Sequence, residues 1–141
     1  MLRSYLHNSY TARRSGVAST ANAVRGGYRS TPGVGARALH VAPGPLGVEQ
    51  LLAQVGDGLI VQSVTGLHSG VNPTSGDFSV GAEGRMIRGG ELAEPVREVT
   101  IASTIQRLLL DIVAVGADAQ FLPSGASVPT IVIADVQLSG A

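Results

Sequence analysis

A segment in the middle of the chain, residues 65–84, gathers side chains that could perform acid–base chemistry. It contains His68, Ser69, Ser75 and Asp77 within a stretch rich in glycine and serine. A histidine paired with a carboxylate can act as a general base, and a serine hydroxyl beside it can then serve as the nucleophile. One interpretation is therefore an autonomous Ser/His hydrolase that uses His68, Asp77 and a serine, although the G-x-S-x-G turn of many serine hydrolases is absent.

The same segment has the composition of an ordered loop whose polar side chains serve its own backbone. Asn, Ser, Thr and Asp side chains commonly hydrogen-bond backbone groups two or three residues away. In this interpretation Asn72, Gly76 and Asp77 shape the loop, and together with His68 and Ser69 they form a candidate surface for contact with a peptide or a partner protein. No catalytic residue is then expected. Residue types and spacing leave both interpretations open.

The sequence offers few ligands for a metal centre. It has no cysteine, and its three histidines, His7, His40 and His68, do not occur in H-E-x-x-H or H-E-x-x-x-H motifs. Asp77 and Glu83 would need additional ligands from elsewhere. All ten basic residues are arginine, which excludes a P-loop because that motif requires lysine. We therefore expect no metal and no cofactor in this chain.

Charge is unevenly distributed, although the net charge is zero. Residues 1–40 contain six arginines and no acidic residue, whereas residues 41–141 contain four arginines and all ten acidic residues. A basic arm for nucleic acid is one interpretation, and pairing with carboxylates elsewhere is the other. Because the arginines lack an interleaved aromatic pattern, we expect no nucleic-acid partner.

The amino terminus and the hydropathy pattern do not predict a membrane protein. No apolar run approaches the roughly 20 residues that a membrane span needs, and the first residues lack the apolar region of a signal peptide. The expected location is the cytoplasm.

Hydrophobic periodicity predicts short helices and strands in the first half of the chain. Helices are predicted over residues 2–14, ending at Gly16, and over residues 48–55, where apolar positions recur at helical spacing. Strands are predicted over residues 36–41 and 59–64. The second strand begins with a continuous apolar run, which is typical of burial on both faces.

A hairpin is predicted after the central segment. Residues 78–85 alternate between apolar and polar positions, which indicates a strand with one buried face. Gly89 and Gly90 can adopt the positive φ angles of a two-residue hairpin turn. Residues 92–101 are then predicted to return as the partner strand.

The sequence predicts a helix followed by a strand in the last part of the chain. Ser103 and Gln106 have the spacing of a capping box for a helix whose apolar positions span residues 105–113, with Gly116 as its stop. Residues 129–138 are predicted as the final strand. The expected fold class is α+β: a largely antiparallel β-sheet with short packed helices.

Longer motifs in these elements resemble one protein family, the TldD/PmbA metalloproteases. The pattern G-V-N-x-x-[ST]-G-D-[FY]-S-x-G-A-x-G occupies residues 70–84, and P-V-x-x-[IV]-T-I-A occupies residues 95–102. An [IV]-x-x-G-E hairpin at residues 87–91 and V-G-x-D at residues 115–118 extend the match. The sequence resembles the C-terminal domain of this family over nearly the whole chain.

The resemblance implies a role in proteolysis. TldD and TldE subunits of the family form a cytoplasmic heterodimeric metalloprotease that acts on peptides, and the TldD subunit carries zinc through an H-E-x-x-x-H helix and a cysteine. This chain has neither, and residues 119–128, where the cysteine would fall, contain none. The resemblance therefore implies a non-catalytic, TldE (PmbA)-type domain. Zinc is expected in a TldD-type partner, and an extended peptide is the expected substrate.

The resemblance also sets the expected domain organisation. Residues 1–141 would form a single, partial C-terminal domain, and residues 1–45 would be an arm or a segment from the preceding part of the family protein. The alternative is a truncated gene fragment with no independent activity.

Overall fold

The computed structural model describes residues 3–122 and 125–140. These residues fall into two compact units. The arginine-rich unit contains the described residues of Met1–Val41 and Phe121–Val128, and the sheet unit contains those of Ala42–Gln120 and Pro129–Ala141. In the part of the chain that the structure describes, no helix has the length and apolar character that a membrane crossing requires.

Short elements make up the arginine-rich unit. They are α1 (Ser9–Ser15), β1 (Ala23–Val24), β2 (Gly33–Val34), β3 (Leu39–His40), β9 (Ala126–Val128) and the second residue of β8 (Gln120–Phe121), whose first residue is assigned to the sheet unit. β1 and β2 pair antiparallel, whereas β3 pairs with β9 in parallel and β8 completes a sheet in the order β3-β9-β8. The strand predicted over residues 36–41 is therefore reduced to two residues.

The first helix begins later than the sequence predicts. Helix α1 starts at Ser9 because Asn8 caps it, so residues 3–8 are not helical, contrary to the prediction; residue 2 of the predicted helix lies outside the described residues. The Asn8 side chain accepts the N–H of Thr11 at 2.8 Å, and the Thr11 hydroxyl accepts the N–H of Asn8 at 3.2 Å. This reciprocal capping box satisfies two backbone donors at the helix start. Gly16, in the left-handed conformation, ends the helix as predicted.

An antiparallel sheet dominates the sheet unit. The unit contains α2 (Val48–Val55), β4 (Gly58–Thr65), β5 (Asp77–Arg88), β6 (Glu91–Thr104), α3 (Ile105–Leu110), β7 (Ile112–Val115), β10 (Ile131–Ile133) and β11 (Gln137–Ser139). Four strands form one antiparallel sheet in the order β11-β6-β5-β4, and β7 pairs antiparallel with β10. The predicted α+β class, largely antiparallel with short helices, is confirmed.

The core of the sheet unit lies on one face of β5. Phe78, Val80 and Ala82 alternate with exposed neighbours, and each is less than a tenth exposed. Alternation of this kind places successive side chains on opposite faces of a strand. Leu51 of α2 adds the most deeply buried large side chain, at 1% exposure. The structure confirms the predicted bounds of α2, residues 48–55. The helical spacing of its apolar residues agrees with the burial of Leu51 in this core.

The hairpin between β5 and β6 forms where the sequence predicts it. Gly89 and Gly90 have φ angles of 55° and 86°, the positive values that this turn requires. β6 continues without interruption through Pro95, which pairs with Arg85 next to a register shift. Irregular pairing at this point lets the strand tolerate a residue without a backbone N–H.

The helix predicted over residues 105–113 is wrong in its second half. Helix α3 ends at Leu110, and residues 112–115 form β7 instead. The apolar residues there fit helical spacing, but their backbone pairs with β10, and pairing with a distant strand overrides local propensity. The cap is Thr104, whose hydroxyl accepts the N–H of Arg107 at 3.1 Å, rather than Ser103.

The final predicted strand is divided in two. Residues 129–138 contain β10 and the start of β11, which belong to different sheets. Asp135 has a φ of 54° between them, a left-handed conformation that turns the chain out of one pairing and into the other.

Asp118 fixes the chain between β7 and β10. One of its carboxylate oxygens accepts the backbone N–H of Thr130 at 3.0 Å, and the other accepts the Thr130 hydroxyl at 2.7 Å. The hydrogen bond from the Thr130 hydroxyl has the larger effect and the one from the Thr130 N–H the smaller, and together they hold the pKa of the Asp118 carboxyl below its ordinary value. These bonds favour the ionised form, so they stabilise the fold only while the carboxyl is charged.

Replacing Asp118 with asparagine is expected to lower stability at neutral pH and to weaken its dependence on acid. A depressed pKa contributes stability that is fully present above the unfolded pKa of about 3.9 and is lost as pH falls through the lower folded pKa. The free energy of unfolding from urea titrations should differ most at pH 7, by about 1 kcal/mol, and least below pH 3. An equal difference at both pH values would contradict this role.

Candidate functional site

The candidate site begins with the loop of residues 66–76, which connects β4 to β5. The N–H of Gly70 donates to the carbonyl of Gly66 at 2.7 Å, and the carbonyl of Gly70 accepts the N–H of Ser79 at 2.8 Å. Val71 and Phe78 form an isolated antiparallel bridge. The loop is therefore folded back on the first residues of β5 by backbone hydrogen bonds.

Asn72 organises the tip of this loop. Its side-chain oxygen accepts the N–H groups of Thr74 and Ser75 at 2.9 and 3.3 Å. Its own N–H donates to the carbonyl of Asp77, and its carbonyl accepts the N–H of Gly76, both at 2.8 Å. An asparagine side chain bonded to the backbone two residues ahead is a common way to close a turn. These bonds occupy the side-chain oxygen and both backbone groups of Asn72.

Asp77 and Gly76 tie the loop to its neighbours. The hydroxyl of Ser75 donates to the Asp77 carboxylate at 2.5 Å. The carbonyl of Gly76 accepts the N–H of Ile105 at 2.9 Å, and the Gln106 side chain donates to the carbonyl of Ser75 at 3.1 Å. Gln106, predicted as half of a capping box, instead connects the first turn of α3 to the loop.

His68 is exposed at the start of the loop, and the hydrogen bonds of the described residues do not join it to Asp77. Ser69 donates its hydroxyl to the carbonyl of Gly66 at 3.4 Å, so it too serves the loop backbone. A shallow depression of about 460 Å³ is lined by Ser69, Gly70, Val71, Asn72, Asp77, Phe78 and Ser79. Three of the five candidate residues, Ser69, Asn72 and Asp77, therefore line the depression, whereas His68 and Gly76 do not.

The residues present do not fit a zinc centre. His7 shares a hydrogen bond of 3.2 Å with the Thr11 hydroxyl, and the ring of His40 packs edge-on against Phe121. Within residues 3–122 and 125–140, no group of three or more histidine and carboxylate side chains lies close enough to hold a metal ion. Imidazole and carboxylate ligands must converge on one point to bind zinc, and these do not.

A second feature, which the sequence did not predict, is a groove along the free edge of β4. Strand β4 lies at the end of its sheet and, among the described residues, pairs only with β5. A cavity of about 970 Å³ follows it. Five consecutive residues, 58–62, line this cavity. The cavity reaches this edge and also extends over one face of the sheet, because Val80, Ile101 and Leu138, which are paired neighbours on β5, β6 and β11, line it too.

The groove is mainly apolar. Residues 131–133 of β10 line its other side, together with Leu51, Phe78 and Val80 of the core. Among its described lining residues, Asp57 and Asp135 are the charged ones. No local pattern could have revealed it, because it depends on which strand ends the sheet.

Similarity to known proteins shows which protein family the chain belongs to. A family model described as the PmbA/TldA metallopeptidase C-terminal domain matches residues 1–140. The crystal structure of TldE from Thermococcus kodakarensis has the same fold, with a TM-score of 0.84 at 24% identity over 98% of this chain and 31% of that one. The family model therefore defines the class of this chain as a C-terminal domain of the PmbA/TldA metallopeptidase family, and the fold agrees with it.

Individual relatives agree with this assignment. The chain is 36% identical to the metalloprotease PmbA of Escherichia coli O157:H7 over 118 residues, which cover 84% of this chain and 24% of that protein. It is 35% identical to a PmbA homolog of Haemophilus influenzae over 141 residues, which cover 99% of this chain and 28% of that protein. The chain belongs to the PmbA/TldD metallopeptidase family and spans about a quarter of the length of these curated relatives.

Proposed function

We propose that this chain is a non-catalytic, TldE-type domain that supports peptide cleavage by a zinc-carrying, TldD-type partner. In this proposal the two subunits form a heterodimer in the cytoplasm. The partner supplies the metal and the chemistry, whereas this chain helps to hold the peptide. The free edge of β4 beside an apolar groove is the observation that carries the proposal.

A free strand edge can hold a peptide by adding it to the sheet as a further strand. Such binding uses backbone N–H and carbonyl groups, so it tolerates many peptide sequences. The groove beside β4 gives apolar side chains of the peptide a place to leave water. A proteolytic assembly that accepts varied peptides needs this combination of backbone recognition and unspecific apolar contact.

The loop of residues 66–76 contributes shape rather than chemistry. Asn72, Ser75 and Asp77 already bond to one another's backbone or side-chain groups. A serine nucleophile needs a histidine beside it as its base. In the described residues no histidine is hydrogen-bonded to Ser75 or to Asp77, so this pair is not a catalytic arrangement. His68 and Ser69 remain as exposed groups for contact with the peptide or the partner.

Size-exclusion chromatography of the chain mixed with a zinc-loaded TldD-type subunit tests the pairing. We expect the two proteins to elute together, with zinc remaining on the partner when each subunit is analysed for metal. His68→Ala should leave the zinc content of each subunit unchanged, since the proposal makes this side chain neither a metal ligand nor a catalytic group. Separate elution of the two proteins at micromolar concentration would refute the pairing.

A further inference from the structure

The arginine-rich unit carries a charge opposite to that of the sheet unit. It has no acidic residue, and its formal charge of +6 comes from six arginines: Arg3, Arg13, Arg14, Arg25, Arg29 and Arg37. The sheet unit has the remaining four arginines and all ten acidic residues, a charge of −6. All six arginines are exposed.

The charges of the arginine-rich unit are not neutralised by ion pairs in the described residues. Both ion pairs found there, Arg88 with Glu94 and Arg107 with Asp111, lie inside the sheet unit. The arginine-rich unit itself contains no carboxylate side chain, so its six arginines have no acidic partner within the unit.

Exposed tyrosines accompany the arginines. Tyr5, Tyr10 and Tyr28 are 84%, 65% and 81% exposed. The guanidinium of Arg14 lies 5.9 Å from the centre of the Tyr10 ring, and that of Arg29 lies 5.1 Å from the centre of the Tyr28 ring. Such cation–π contacts hold both side chains in place. Two of the six arginines thus have an aromatic neighbour, since Tyr10 precedes Arg14 by one helical turn and Tyr28 directly precedes Arg29.

Polar bonds, rather than an apolar core, order this unit. Its buried residues are Asn8, Ala12 and Ser127. The Asn8 side chain donates to the carbonyls of Pro32 and Gly33, both at 3.3 Å, which connects the start of α1 to β2. Several aliphatic side chains stay exposed, including Leu6 at 46%, Val17 at 51% and Leu39 at 65%.

We propose that the arginine-rich unit is a docking surface for an acidic polypeptide surface on another protein. Arginine and tyrosine are the side chains that protein interfaces concentrate, and exposed aliphatic groups add contacts that a phosphate backbone would not cover. A guanidinium group already lies over the ring of Tyr10 and of Tyr28, so a base could stack only on the opposite ring face. The +6 charge selects an acidic partner. This inference does not depend on the TldD-type pairing.

Fluorescence anisotropy with two labelled probes tests the proposal. One probe is a random copolymer of glutamate and tyrosine, and the other is a single-stranded oligodeoxythymidine of equal charge. The full chain should bind the copolymer more tightly than the oligonucleotide. Affinity for the copolymer should fall about tenfold as the NaCl concentration rises from about 50 to 300 mM, because salt screens the attraction.

Two double variants of equal net charge separate this surface from general charge effects. Arg14→Gln/Arg29→Gln should weaken copolymer binding about tenfold, because it removes two of the six positive charges of this surface. Arg88→Gln/Arg97→Gln, in the sheet unit, should change it less than about twofold, because exposed ion pairs contribute little. Circular dichroism melts should show that both variants fold.

Three outcomes would overturn the proposal. The first is no copolymer binding at low salt, and the second is equal weakening by the two double variants. The third is tighter binding to the oligonucleotide, which would make this surface a nucleic-acid site instead. Co-elution with a TldD-type subunit could persist in each case, so failure here leaves the proposed function intact.

Discussion

Alanine at Gly84 is expected to destabilise the sheet unit by about 3 kcal/mol, because it overpacks a buried backbone contact. Gly84 is buried in β5, and a Cβ built there would overlap the backbone carbonyl of Ile60 in β4. A backbone carbonyl in a paired strand cannot rotate away, so β4 and β5 would have to separate locally. Urea unfolding followed by circular dichroism measures the loss.

Gly81→Ala is the matched control in the same strand. A Cβ at Gly81 would meet the side-chain hydroxyl of Thr65, which can rotate to another position. We expect a loss below about 1 kcal/mol for this variant, as for small changes that a rotamer shift can absorb. Equal losses for Gly84→Ala and Gly81→Ala would show that the close approach of Ile60 to Gly84 does not govern the pairing.

Proline at Leu59 is expected to abolish most peptide binding at the edge of β4. The carbonyl of Ile60 lies against Gly84 of β5, so the N–H and carbonyl of the preceding residue face the free edge. Proline removes that N–H and should weaken the binding of a fluorescent, unstructured apolar peptide about tenfold. The dissociation constant measured by anisotropy reports the change.

Leu59→Ala separates the backbone effect from the loss of the side chain. Alanine removes the leucine side chain that lines the groove but keeps the N–H. It should therefore bind the peptide several-fold more tightly than Leu59→Pro does, provided that thermal melts show both to be folded. Identical affinities for the two variants would exclude strand addition at this edge, and contact through the groove alone would then explain any binding.

Sequence patterns predicted the elements whose identity depends on nearby residues. The apolar spacing of residues 48–55 predicted α2, and alternation over residues 78–85 predicted most of β5. The glycine pair at 89–90 predicted the hairpin between β5 and β6. In each case a periodicity or a turn residue coincides with the burial that the structure shows, so local chemistry and packing agree.

Features that depend on distant partners were not predictable in the same way. Residues 112–115 fit a helix locally, and only β10 makes them a strand. The free edge of β4 follows from sheet order, which no single segment encodes. The loop is an intermediate case: Asn72 was recognised as loop-shaping from its residue type, but the bond from Gln106 to Ser75 joins residues 31 positions apart.

The central claim is that this chain assists zinc-dependent proteolysis without performing it. A peptide-cleavage assay with three samples tests this claim: this chain alone, a zinc-loaded TldD-type subunit alone, and the two together. We expect no cleavage by this chain and faster cleavage by the pair than by the partner alone. Cleavage by this chain alone, or a pair no faster than the partner, would contradict the account.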